Sequence, residues 1–140
     1  MVLAIMGILI LIVSTSINRF NEQLKISDEI KSELNHFSAI RASIWKDFYF
    51  ANSISMENNQ LIISQSNSVK SYKVDEGFLF RKSNNDWTNL RVEASSVYES
   101  ADEGIPVFHI VFPWKSNEID LEFYYKPSIE LSVNAYFDGL

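Results

Sequence analysis

The first thirteen residues, Met1-Val-Leu-Ala-Ile-Met-Gly-Ile-Leu-Ile-Leu-Ile-Val13, carry no polar side chain, and the first charge along the chain is Arg19. A helix made from them is apolar on every face, and a small folded body has no interior that could surround it. Counted to Ile17, through Ser14, Thr15 and Ser16, the apolar stretch reaches seventeen residues, a little short of the roughly 20 that cross a bilayer. A secretory signal sequence would set Lys or Arg ahead of its apolar stretch and small residues at a cleavage point. No basic residue precedes Arg19, and Ser14-Thr15-Ser16 matches a cleavage point only loosely. Membrane insertion is the expectation that remains. Met1, Val2, Leu3, Ala4, Ile5, Met6, Gly7, Ile8, Leu9, Ile10, Leu11, Ile12 and Val13 are its candidate residues, and 1–17 its membrane-embedded part.

Beyond Ile17 the apolar residues thin to one stripe. Ile17, Phe20, Leu24, Ile30, Leu34, Phe37, Ile40, Ile44 and Phe48 recur mostly at intervals of three or four, while Glu22, Lys25, Glu29, Lys31, Glu33 and Lys46 fill other positions. That spacing predicts an amphipathic helix over 18–51. No proline occurs before Pro106 and Gly7 is the one glycine before Gly77, so nothing stops the helix between its two halves. The expectation is a single helix to about residue 50, about 75 Å long at 1.5 Å per residue.

From 52 to 140 the period falls to two. Gln60–Gln65, Val69–Val74, Gly77–Lys82, Leu90–Tyr98, Pro106–Phe112, Ile119–Tyr125 and Ile129–Phe137 read as strands. Glu57-Asn58-Asn59, Gln65-Ser-Asn-Ser68, Asp75-Glu76-Gly77 and Ser83-Asn84-Asn85-Asp86 supply the turns between them. In Ile119-Asp-Leu-Glu-Phe123 the acids alternate with apolar residues, as a strand with one wet face requires. The predicted fold is α+β: a long helix packed through Leu34, Phe37, Ile40, Ile44 and Phe48 on one antiparallel sheet or two small ones. With 140 residues, 46% of them apolar, the chain has material for one folded body.

The combination of an apolar helix, its amphipathic continuation and a β-rich body resembles the type IV pilin and pseudopilin superfamily. Ile5-Met6-Gly7-Ile8-Leu9 is the best-matching stretch. More loosely, the second half is similar to the J-type minor pseudopilins of type II secretion and to related minor pilins, through Leu79-Phe80-Arg81, Trp87 and the strand after it. Family precursors carry a basic leader, a Gly or Ala at the cleavage point and a glutamate ahead of the apolar run. None of these has a counterpart here, and the expectation is a chain that begins late relative to the family, with a degenerate relative as the alternative. The resemblance implies a non-enzymatic structural subunit of a pilus, secretion or DNA-uptake system. Such a subunit is anchored in the cytoplasmic membrane with its body on the extracytoplasmic side, and is assembled through its helix into a filament or its tip. Its implied partners are membrane lipid, other pilin or pseudopilin subunits and the assembly machinery. The alternative is a membrane-tethered binding module for which the helix is a simple anchor.

Other chemistry finds little support. The net charge of −6 makes nucleic acid a poor partner. Residues 101–140 hold seven acids against two bases, a solvated face or a docking face for a basic partner. Cysteine is absent, which removes disulfides and thiolate ligands. His36 lies beside the helix stripe and His109 inside Val107-Phe-His-Ile-Val-Phe112, where a hydrogen-bonded structural histidine is the favoured reading. No histidine-rich cluster, phosphate loop or Gly-x-Ser-x-Gly elbow occurs. Asp75-Glu76 and Asp102-Glu103 read as turn residues, lacking the spaced acids of a calcium loop. Catalytic, cofactor and metal residues are therefore expected to be none. Trp114 and Tyr124-Tyr125 are the aromatic interface candidates.

Overall fold

The fold is that of a computed structural model and is described for residues 2–125. One helix, α1 (Val2–Tyr49), is followed by eight strands: β1 (Ser53–Glu57), β2 (Gln60–Gln65), β3 (Ser68–Asp75), β4 (Phe78–Ser83), β5 (Asp86–Glu93), β6 (Ser96–Asp102), β7 (Ile105–Trp114) and β8 (Asn117–Tyr124). The architecture is α+β, with two antiparallel sheets ordered β1-β2-β3-β4-β5 and β6-β7-β8. Met1 and the expected strand Ile129–Phe137 lie outside the described residues, as do the side chains of Val2 and Leu3.

The helix is unbroken, as the absence of internal proline allows. The chain nevertheless divides into two compact units, Met1–Ile40 and Arg41–Leu140. The boundary falls inside the helix rather than at its end near residue 51, because the last turns carry side chains into the sheets. Ile44, Asp47 and Phe48 are buried, whereas Phe37 and Ile40 are half-buried and Leu34 is 45% exposed. Burial of the stripe is therefore complete only in its last two members.

Tight turns order the strands. Asn58-Asn59, Glu76-Gly77, Asn84-Asn85 and Glu103-Gly104 all have positive φ at both residues, the handedness that matches the twist of a two-residue hairpin. Each links neighbouring strands in register, for example Asp75↔Phe78 and Asp102↔Ile105. Two features depart from the sequence pattern. Ser53–Glu57 pairs as an edge strand, although it is only five residues long. The single expected strand Leu90–Tyr98 is two strands in different sheets, since Ala94 N–H donates to Gly77 O and Ser95 N–H to Val111 O, carrying the chain from one sheet to the other. Just before that crossing, β5 bulges opposite Phe78–Phe80. Arg91 takes φ 55° there and its N–H bonds the Asn89 side chain at 2.7 Å.

The core of the second unit forms where the end of α1 meets both sheets. Phe48 stacks on Phe123 with centroids 3.8 Å apart, and Trp45 meets the same ring edge-on at 5.0 Å. Phe108, Ile110 and Phe112 of β7 share the face that receives them, paired with Phe123, Leu121 and Ile119 of β8. The other sheet contributes Leu61, Ile63, Tyr72 and Leu79, all fully buried.

Candidate functional site

Three sites stand out, the first within Met1–Ile40 and the other two within Arg41–Leu140. The first is the apolar start of α1. Every large apolar side chain described from Ile5 to Val13 is at least 53% exposed, and no 18-residue apolar window of this helix is buried in the protein. α1 is long and apolar enough to cross a membrane. Thr15 keeps the segment internally satisfied by donating its hydroxyl to Leu11 O at 2.6 Å, the bond a polar side chain makes inside an apolar helix. Ala4 and Gly7 share this exposed surface, and no neighbouring group stands within 4 Å of where a Cβ on Gly7 would lie.

The second is a buried ion cluster at the other end of the helix. Asp47, 1% exposed, is three residues after Ile44 and so shares its inward face. Its carboxylate accepts from Lys70 Nζ at 2.6 Å and from the Tyr72 hydroxyl at 2.5 Å, and pairs with Arg81 Nη2 at 2.8 Å. Arg81 also donates to Ser43 Oγ, while its Nε is buried without a hydrogen-bond partner. Gln65 Nε2 donates to the Asp47 carbonyl at 2.9 Å, satisfying one of the open carbonyls at the helix C-terminus. Burial, followed by the hydrogen bond to Asp47, raises the Tyr72 phenol far above its ordinary value. These groups fasten α1 to β3 and β4, a structural task.

The third lies on the outer face of the β6-β7-β8 sheet. Register sets Tyr98 directly opposite His109 and His109 directly opposite Glu122. Ser100 and Asp120 take the diagonal positions on the same face. Ser100 Oγ is 2.7 Å from His109 Nε2, and His109 Nδ1 is 2.9 and 3.2 Å from the two oxygens of Asp120. The Tyr98 ring stacks on the imidazole at 4.5 Å and 6°. His109 is thus a hydrogen-bonded histidine on a buried strand. The connectivity of serine, imidazole and carboxylate is also that of a nucleophile, a base and its orienting group. Such chemistry further requires a cleft and donors aimed at an oxyanion, whereas Ser100 sits exposed in mid-strand on a sheet face.

The remaining candidates have structural positions. Asp75 and Glu76 lie at a hairpin turn, with Asp75 paired to Lys73 at 2.8 Å, and Asp102-Glu103 lies at another. His36 is exposed on α1. Trp114 is half-buried and Tyr124 exposed, while the Tyr125 hydroxyl donates to Asn52 O. The sequence places Asp120 and Glu122 only on the wet face of a strand and marks no role for Asp47 or Ser100. Comparison with protein-family models, curated proteins and solved structures finds no match for the chain.

Proposed function

We propose that this protein is a membrane-anchored structural subunit of the pilin or pseudopilin kind, held in the cytoplasmic membrane by α1 with its β body on the extracytoplasmic side. The observation that carries the reading is the exposed, all-round apolar start of a helix whose last turns are locked into a folded body. Surface of that kind must be covered, and two environments cover it equally well: lipid before assembly, and the helices of neighbouring subunits afterwards. Its role is then to pass between those environments, with no chemistry of its own. The simpler alternative, a tether carrying a binding body, draws support from the His109 cluster on the outer sheet face.

The two readings separate on whether the helix sequence matters beyond its hydropathy. Because the chain contains no cysteine, single cysteines placed along residues 4–17 report helix-to-helix proximity in the membrane without background. A subunit forms disulfide-linked dimers at positions that repeat with helical period, and loses them when residues 4–17 are exchanged for an unrelated apolar span that still inserts. Cross-linking that is absent, or that survives the exchange unchanged, overturns the subunit reading and leaves the tether.

A further inference from the structure

The outer face of the β6-β7-β8 sheet carries more negative charge than its neighbours balance. Glu118, Asp120 and Glu122 alternate along β8 and point to one side. Among the described residues, the lysine and arginine ion pairs go to Asp47 and Asp75, and the basic side chain that meets this face is the His109 imidazole, at Asp120.

We propose that His109, Asp120 and Glu122 form a binding site for a divalent transition-metal ion of the zinc type. One donor atom from each residue lies within 4.8 Å of the other two. His109 Nδ1 lies 2.9 and 3.2 Å from the two oxygens of Asp120, close to the separation of about 3.3 Å between adjacent donors in a tetrahedral zinc site. A mixed set of one imidazole and two carboxylates suits zinc and its first-row neighbours better than calcium, which takes six or more oxygens.

The histidine is also prepared for this use. It is 7% exposed, sits on the central strand, and is fixed by the Tyr98 ring on its flat side. Without metal, Nδ1–H donates to Asp120 and Nε2 accepts from the Ser100 hydroxyl. With metal on Nδ1, the ring proton resides on Nε2 and donates to Ser100 Oγ. A hydroxyl serves both tautomers by rotating, so Ser100 supplies the outer hydrogen bond that orients a metal-bound imidazole. The exposed side of Asp120 and Glu122 leaves the remaining coordination positions to water or to a partner's ligand. The inference is independent of what α1 does.

The test is calorimetric titration of the full chain, in detergent micelles, with zinc chloride. Saturable binding of one ion per chain is expected. Glu122→Gln and Asp120→Asn, both at exposed positions, each weaken it by about tenfold or more, and Ser100→Ala by about tenfold. His36→Gln leaves it unchanged. Nitrogen NMR of the imidazole rings gives the second readout: zinc shifts Nδ1 of His109. No saturable binding up to about 1 mM ion overturns the site. So does wild-type affinity in Glu122→Gln or Asp120→Asn, loss of binding in His36→Gln, or an unmoved His109 Nδ1 resonance.

Discussion

Asp47 shows how one residue can tie a helix to a sheet. A buried carboxylate is costly unless matched, and here two cations and a phenol match it. The position was legible in principle: a carboxylate three residues after Ile44 breaks an apolar stripe, and a charge there needs buried partners. Those partners were not legible, because Lys70, Tyr72 and Arg81 come from strands whose pairing the helix pattern does not reveal. Tyr72 gives the cluster a pH signature. Burial and the Asp47 hydrogen bond hold its phenol well above the ordinary value of 10.0, so the protonated form is the one folding favours. Its contribution is complete below about pH 10 and drains away as pH rises above that, by about 1 kcal/mol per pH unit while only the unfolded chain ionises. Tyr72→Phe should lower stability near neutral pH by about 1–2 kcal/mol, through the lost donor to Asp47. It should also flatten the alkaline limb. Denaturant titrations across the neutral and alkaline range check both, and an alkaline limb as steep as the wild type's would show that Tyr72 is not its source.

Among the elements, turns carried the information that strands alone did not. The helix and the strands β2, β3, β4, β7 and β8 follow from period and punctuation, whereas β1 is short and the β5-to-β6 crossing at Ala94-Ser95 has no glycine or proline to mark it. The His109 cluster was hidden for a related reason. Asp120 and Glu122 read as an ordinary wet strand face until Lys115-Ser116 is recognised as a hairpin turn, which sets Glu122 against His109. Taking Glu103-Gly104 as a second turn sets Tyr98 against the same ring. These turns depend on left-handed backbone. Gly104 has φ 82°, and a Cβ there would meet nothing within 4 Å. Gly104→Ala should therefore lower stability by about 1 kcal/mol through backbone strain alone. The fold should be kept, so the far-ultraviolet spectrum stays unchanged while the melting temperature falls. A loss of several kcal/mol would mean that the side chain clashes and that the turn is packed differently.

For the whole molecule, the meaningful boundary is the one inside the helix. The helix residues from Arg41 to Tyr49 belong with the sheets, which makes the end of α1 part of the body's core and leaves outside it an exposed apolar start long and apolar enough to cross a membrane. The division predicts how the protein can be cut. A piece beginning at Arg41 keeps Ile44, Asp47 and Phe48, and should fold cooperatively and leave the membrane fraction. A piece beginning at Phe50 loses two buried apolar side chains worth about 1.5–3 kcal/mol each. It also strands Lys70 and Arg81 without their carboxylate, a further cost of about 3–5 kcal/mol. Together these come to about 6–11 kcal/mol, comparable to the 5–15 kcal/mol or so that separates a typical folded domain from its unfolded chain, so the shorter piece should show no cooperative melting transition. Equal melting of the two pieces would mean that the sheets stand without the helix end. Retention of the longer piece by membranes would mean that the body has lipid affinity of its own, in which case α1 would not be the sole anchor.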